Sequence, residues 1–223
     1  MSERGQGPPQ DPGQIRVFVA VELPDDIKQM LSDVEILLKR RMTNLLGSKW
    51  AERSLKWVSP ESIHITLKFL GYVAPERVGA IEEALRRATE NQPRFTLALD
   101  GLGVFPSFTK PRVIWVGVKG DLERLASLQT QIEAAIANLG FPVEKRPFSP
   151  HLTLARVRET ASIGELRLIG QAVKESPPVS IDGRAVPVRH VSLMRSELSR
   201  HGARYTRLAE FPLFSPGASE RSR

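Results

Sequence analysis

The chain has 223 residues, 41% of them hydrophobic and 26% charged, a composition typical of a globular protein large enough to bury a substantial core. It contains no cysteine, which excludes disulfides, thiolate metal sites and a cysteine nucleophile and fits a reducing cytoplasm, the localisation we expect. No apolar run approaches the roughly 20 residues that span a bilayer, so we expect no membrane contact. The net charge of +7 favours polyanions such as RNA, although a basic balance also serves solubility.

The two ends of the chain differ from the rest in composition. Residues 1–13 and 215–223 are rich in Gly, Pro, Ser and charge and poor in apolar residues, which predicts disordered tails on a single domain at 14–214. Between the tails, the first half of the chain alternates between strand and helix patterns. In chain order it predicts a strand at 15–22, an amphipathic helix from Asp25, strands at 55–58 and 63–70, a helix at 75–89 and a strand at 95–102.

The same order of patterns begins again in the second half. It predicts a strand at 112–118, a helix ending near Gly140, a strand beginning at His151, a helix at 163–174 and strands at 188–195 and 205–211. The interval from Arg16 to His64 is longer than the equivalent interval from Arg112 to His151, which predicts an insertion at 43–53. This repetition predicts an α+β or α/β protein with two related lobes.

A His-x-Thr-Leu pattern occurs twice, at 64–67 and at 151–154, each time within a predicted strand. Because side chains in a strand alternate between faces, the His and Thr of each copy share one face and the apolar residues point into a core. Two related lobes would bring both histidines together across a cleft. Two imidazoles there can serve as acid and base, and two threonine hydroxyls can donate to an anion, which indicates a phosphate pocket.

Other interpretations of the histidines are weaker. A single histidine in a strand is commonly structural, but the matched Thr and Leu of the two copies favour a functional pair. A metal site would need three or four ligands, and neither motif has a cysteine or a carboxylate at the second or fourth position after its histidine, so we expect no metal. We expect His190 and His201 to be structural or surface residues.

Residues beside the motifs add to the phosphate interpretation. Arg156 could bind a phosphate, although its odd offset from His151 places it on the opposite strand face unless the strand twists or ends. Phe148 and Phe69 could stack on a nucleobase, although a phenylalanine in such a position more often packs in a core. Lys68, at an even offset from His64, is predicted to add positive charge to the cleft.

These motifs resemble those of the 2H phosphoesterase superfamily, and most closely those of LigT-type RNA 2′,3′-cyclic phosphodiesterases, once called 2′-5′ RNA ligases. The resemblance covers residues 15–213. It is carried by the segments 16–21, 64–71, 103–106, 111–117, 148–156 and 193–198, together with Gly202 and Tyr205.

The resemblance implies a bilobal α+β fold, in which two lobes related by a pseudo-twofold axis enclose a central cleft, with no metal and no organic cofactor. It implies RNA or nucleotides with 2′,3′-cyclic phosphate ends as substrates, hydrolysed to 2′-phosphates. The catalytic pair would be His64 and His151, with Thr66, Thr153 and Arg156 on the phosphate. We assign His151 as the base and His64 as the acid, and we expect a monomer.

Two other functions are consistent with the same residues. An RNA ligase would use the same histidines to join a cyclic phosphate end to a 5′-hydroxyl, because a ribose hydroxyl can replace water as the nucleophile. A nucleotide- or RNA-binding module would retain the cleft without catalysis, although the intact His and Thr of both motifs argue against it. A third alternative, a metal-dependent phosphodiesterase, would lose its activity in EDTA, whereas the two-histidine mechanism predicts no loss.

Overall fold

The computed structural model describes residues 13–176, 184–199 and 202–214, so the predicted tails lie outside the described residues except for Gly13. The strands are β1 (Ile15–Glu22), β2 (Leu55–Trp57), β3 (His64–Val73), β4 (Phe95–Phe105), β5 (Val113–Gly120), β6 (His151–Val157), β7 (Ala185–Val188), β8 (His190–Ser199) and β9 (Gly202–Pro212). The helices are α1 (Asp25–Leu46), α2 (Ser48–Ser54), α3 (Val78–Thr89), α4 (Leu122–Ala137) and α5 (Ile163–Lys174). Short 3₁₀ turns lie at Pro60–Ser62 and Pro75–Arg77.

The nine strands of the described chain form one antiparallel sheet, in the order β7-β4-β5-β6-β3-β1-β8-β9, with β2 paired to β6. The two His-x-Thr strands, β3 and β6, are neighbours at its centre, where Ile65 pairs with Leu152. Outward from this junction, β5, β4 and β7 on one side match β1, β8 and β9 on the other. The sequence-based prediction of an α+β protein with two pseudo-twofold-related lobes is therefore confirmed.

The helices cover one face of this sheet in two pairs. Helix α1 packs against α5, and α3 packs against α4. Each helix buries an apolar stripe at helical spacing, as in α4, where Leu125, Leu128, Ile132 and Ile136 are fully buried. The opposite face of the sheet carries no helix of the described chain, and it is this face that the His and Thr side chains occupy. Within the described residues, no helix is both long and apolar enough to cross a membrane.

Several boundaries differ from the sequence-based predictions. The predicted insertion at 43–53 is helical, because α1 continues to Leu46 and is followed by α2. The short edge strand β7 was not predicted, since its four residues include Pro187, which weakens any strand pattern. The predicted strand at 188–195 is divided between the end of β7 and β8. The helix predicted at 75–89 starts with a 3₁₀ turn.

One glycine in α5 is required by close packing. A Cβ atom at Gly170 would overlap the backbone carbonyl of Phe108. We therefore expect Gly170→Ala to lower the free energy of unfolding by about 1–3 kcal/mol, as overpacking typically does. Gly79→Ala in α3 is the matched control, since a Cβ there meets nothing within 4 Å. Urea denaturation would measure both, and equal stabilities of the two variants would contradict this packing.

Candidate active site

A β-bulge in each motif strand decides which side chains enter the cleft. Opposite β1, Lys68 pairs with Val19 and Thr66 with Ala20, so Leu67 is an extra residue in β3. Opposite β5, Ala155 pairs with Ile114 and Thr153 with Trp115, so Leu154 is the extra residue in β6. An extra residue reverses the alternation of the side chains beyond it. Equivalent bulges thus occur at the same position of both motifs.

The bulges correct two expectations that rested on strict alternation. Arg156 follows the bulge in β6 and is exposed on the face that carries His151, so its odd offset does not exclude it from the cleft. Lys68 follows the bulge in β3 and is turned to the helix side. It is buried there, donates to the Pro142 carbonyl over 2.7 Å and pairs with Glu133. The predicted contribution of Lys68 to the charge of the cleft is therefore wrong.

The two histidines are held by the same hydrogen bond. His64 Nδ1 lies 2.8 Å from the Ser62 carbonyl oxygen, and His151 Nδ1 lies 2.7 Å from the Ser149 carbonyl oxygen. Since a carbonyl can only accept, each Nδ1 carries the proton and each Nε2 is the atom that can exchange protons with a ligand. Extending the antiparallel Ile65–Leu152 pair by one residue places His64 beside Thr153 and His151 beside Thr66.

Aromatic rings flank the imidazole of His64. Phe18 of β1 stacks on it with ring centroids 4.7 Å apart, and Tyr205 of β9 meets it edge-on at 5.2 Å. Phe18 and Tyr205 also contact each other, so the ring of His64 is fixed from two sides. The alternation of β1 gives some signal for Phe18, whereas Tyr205 is distant in sequence and was recognised only as part of the family resemblance.

His151 has a comparable aromatic environment in the other lobe. Phe105 of β4 meets its ring edge-on at 5.0 Å, and the Trp115 ring centroid lies 6.4 Å away. The indole of Trp115 lies directly over Gly103, where any Cβ would overlap it. Phe105 and Trp115 lie in segments that carry the family resemblance, but nothing in the sequence indicated their contact with His151. Both catalytic candidates therefore sit in partly apolar walls that fix the ring orientation.

Burial is the main influence on the pKa of both histidines. It lowers the pKa of His64 to about 4, while the Glu22 carboxylate favours the charged form and Arg156 opposes it. Burial also lowers the pKa of His151, and the charge of Arg156 acts in the same direction. Both imidazoles are thus neutral at pH 7 in the free protein. An anion bound between them would favour protonation of one.

We expect Arg156→Gln to raise the pKa of both His64 and His151. The substitution removes a positive charge that disfavours each imidazolium, and the neutral amide has no such effect. An NMR titration of the imidazole protons would measure the change. Arg158→Gln, just beyond the end of β6, is the matched control, and equal shifts in the two variants would contradict a location of Arg156 near the histidines.

A network of charged groups lies beside His64. The Glu22 Oε2 atom accepts hydrogen bonds from Ser192 Oγ at 2.5 Å and from Arg207 Nε at 2.7 Å. A pocket of about 170 Å³ adjoins this network and is lined by His64 and Tyr205, among others. Of the two motif histidines, only His64 has its pKa influenced by this carboxylate, so the two halves of the cleft differ electrostatically.

Among the described residues, one group of side chains has the spacing to share a metal ion. The ligand atoms of Glu22, His190 and Glu210 lie within 4.8 Å of one another. The guanidinium of Arg207, however, pairs with Glu22 at 2.7 Å and with Glu210 at 2.9 Å, and so already compensates both carboxylates. His190 pairs with Glu210, as expected of a structural residue, and His201 lies outside the described residues.

The predicted site residues are only partly brought together. His64, Thr66, His151 and Thr153 are half-buried on the cleft face of the two central strands, with Arg156 exposed beside them. Phe148 is half-buried and packs against the main core, and the described ring contacts to His151 come from Phe105 and Trp115 instead. Phe69, by contrast, is exposed and contacts Phe18, whose ring centroid lies 6.0 Å away.

The fold and the site define a two-histidine protein whose cleft suits a phosphate. Comparison with known proteins agrees, because residues 38–115 and 116–205 each match the family model LigT like Phosphoesterase. The chain belongs to this family.

Curated relatives cover most of the chain. It is 32% identical over 201 residues to an RNA 2′,3′-cyclic phosphodiesterase of Methanothermobacter thermautotrophicus, a match that covers 90% of this chain and 100% of that protein. It is 29% identical to an Escherichia coli protein of the same name over 89% of this chain and 96% of that protein.

Solved structures of related proteins share the fold of this chain. A protein of Thermus thermophilus has a TM-score of 0.69 and 29% identity, with 89% of this chain and 98% of that chain covered. The Escherichia coli protein LigT, solved with 3′-AMP, has a TM-score of 0.67 and 26% identity, with 90% of this chain and 98% of that chain covered.

Proposed function

We propose that the protein hydrolyses the 2′,3′-cyclic phosphate ends of RNA or nucleotides to 2′-phosphates. The observation that carries this proposal is the matched histidine pair, in which each Nδ1 is bonded to a backbone carbonyl and each Nε2 is left for the ligand. The similarity to two proteins named RNA 2′,3′-cyclic phosphodiesterase supports the same substrate class. The net charge of +7 agrees with a polyanionic substrate.

The proposed reaction is an in-line attack of water on the cyclic phosphorus. His151 Nε2 takes a proton from the water as its oxygen bonds to phosphorus. The bond from phosphorus to the ribose 3′-oxygen breaks, and a protonated His64 gives its proton to that oxygen, which leaves a 2′-phosphate. Burial lowers the pKa of His64 to about 4 in the free protein, so its protonation as the acid depends on the bound phosphate. The Glu22 carboxylate beside His64 supports the assignment, because a negative charge there also favours the imidazolium.

The remaining proposed site residues stabilise charge or hold the substrate. The hydroxyls of Thr66 and Thr153 donate to the non-bridging phosphate oxygens, and Arg156 offers a guanidinium to the same group. Phe148 remains a proposed stacking contact for the nucleobase of the substrate. Its half-buried ring precedes Ser149, whose backbone carbonyl accepts the hydrogen bond from His151. We also propose that residues 14–214 act as one domain, because the central strands of both lobes belong to one sheet.

The test separates the hydrolase from the two other functions. An RNA with a 2′,3′-cyclic phosphate end would be incubated alone and together with a strand that has a 5′-hydroxyl. We expect a 2′-phosphate in both reactions. A joined strand without hydrolysis would show a ligase instead, and saturable binding without any product would show a binding module.

A further inference from the structure

The short strand β2 distinguishes the two halves of the cleft. It follows the insertion of the first half and pairs with residues 155–157 of β6, beyond the point where β3 and β6 meet. The equivalent segment of the second half, residues 141–150, contains no strand. The sheet is therefore extended beside Arg156 but not at the pseudo-symmetric position beside Phe69. A cleft with two unlike ends can bind a polymer in a single direction.

The register of β2 places a second cation next to Arg156. Lys56 is directly opposite Arg156, while its neighbours Leu55 and Trp57 are opposite Val157 and Ala155. Leu55 is buried and Trp57 packs against the core, so the exposed Lys56 side chain projects to the other face, the face of the cleft.

Two cations in this arrangement oppose each other without compensation. Like charges directly opposite in an antiparallel pair destabilise a sheet, since their Cβ atoms lie about 5 Å apart. Within the part of the chain that the structure describes, neither Lys56 nor Arg156 forms an ion pair with a carboxylate. By contrast, Lys68 and Arg207 are both paired. An anionic ligand would relieve the repulsion and explain why the pair is present.

The position of the pair relative to the histidines defines what it can bind. The charge of Arg156 acts on His64, His151 and Tyr205, so its guanidinium lies within reach of the reacting phosphate. Lys56 lies on the neighbouring strand directly opposite Arg156, further along β6 from His151. An RNA end carries a phosphodiester on the 5′ side of its terminal ribose, next to the cyclic phosphate, whereas a cyclic mononucleotide has none.

We propose that Lys56 binds the phosphodiester adjacent to the cyclic phosphate, so that the protein prefers oligonucleotide ends to cyclic mononucleotides. This inference rests on the proposed function, in which Arg156 contacts the reacting phosphate. It assigns Lys56 a role in substrate specificity, and it gives the RNA chain a path out of the cleft over β2.

The test compares three substrates by their kcat/KM. They are a cyclic mononucleotide with a 5′-hydroxyl, a dinucleotide with the same cyclic end, and that dinucleotide with a neutral methylphosphonate linkage. In the unmodified protein we expect the charged dinucleotide to exceed the other two about tenfold, as for one charge-assisted hydrogen bond. In Lys56→Gln we expect all three values to converge on that of the mononucleotide. Lys174→Gln, which removes an exposed charge from α5 on the helix side, controls for net charge and should keep the preference.

Any other result of this comparison overturns the proposal about Lys56. If Lys56→Gln keeps the preference, or lowers all three values by the same factor, Lys56 does not bind the adjacent phosphodiester. A preference that survives the methylphosphonate linkage would also overturn the proposal, because the charge would then have no part in it. Hydrolysis of the mononucleotide without any preference leaves the proposed function intact and rejects this inference alone, whereas inactivity on all three substrates rejects both.

Discussion

Replacement of either histidine, as His64→Ala or His151→Ala, is expected to lower kcat by roughly 10²–10⁴, the range typical of a lost general acid or base. The reason is geometric, since each Nδ1 is committed to a backbone carbonyl and each Nε2 is the only ring atom left to exchange protons in the cleft. Because the two residues act on the same bond rearrangement, the double variant should lose less than the product of the two single losses.

The measurement is the steady-state hydrolysis of a 2′,3′-cyclic nucleotide, with circular dichroism as a check on folding. His190→Ala is the matched control, because His190 is a half-buried histidine that pairs with Glu210 rather than facing the proposed phosphate. We expect the hydrolysis rate of the His190→Ala variant to stay within about twofold of that of the unmodified protein, as for a substitution away from the reacting groups. Near-normal activity of a folded His64→Ala or His151→Ala variant would contradict the two-histidine mechanism.

The threonine hydroxyls should have the next largest effect. Thr66→Val and Thr153→Val keep the shape of the side chain and remove only the hydroxyl, so each is expected to lower kcat by roughly 10²–10³ if it donates to charge that develops on the phosphate. The effect should appear in kcat more than in KM, because such an interaction strengthens in the transition state.

The serine variants distinguish a chemical role from packing. Thr66→Ser and Thr153→Ser retain the donor and lose a methyl group, and we expect them to recover most of the rate. Both threonines are half-buried on the cleft face, so a packing role would be damaged by serine, which loses the methyl group, and preserved by valine, which keeps the shape. Equal losses in the serine and valine variants of one threonine would show that its hydroxyl is not the functional group.

The sequence was sufficient to predict the elements that carry local signals. The helical pattern predicted α5 at its observed bounds, and the β-rich composition of 15–22 predicted β1. The repeated His-x-Thr-Leu pattern predicted that the His and Thr of each copy share one face and that the two histidines meet across a cleft. The Ile65–Leu152 pair shows in addition that the two motif strands are neighbours. These features depend on contacts within a few residues or on a pattern that occurs twice.

The sequence was insufficient where long-range packing decides the outcome. Leu67 and Leu154 are bulged, which reverses the alternation that had placed Lys68 in the cleft and Arg156 outside it. A bulge depends on the partner strand, so strict periodicity cannot predict it. Likewise, Phe18 and Tyr205 reach His64 from distant parts of the chain, and only the assembled sheet brings them together.

The central claim is that two histidines hydrolyse a cyclic phosphate without a metal. The most direct test is to incubate the protein with a 2′,3′-cyclic nucleotide in the presence of EDTA and to resolve the products by ³¹P NMR. We expect the 2′-phosphate to form at a rate that EDTA does not change. Loss of activity in EDTA, or formation of the 3′-phosphate, would contradict it.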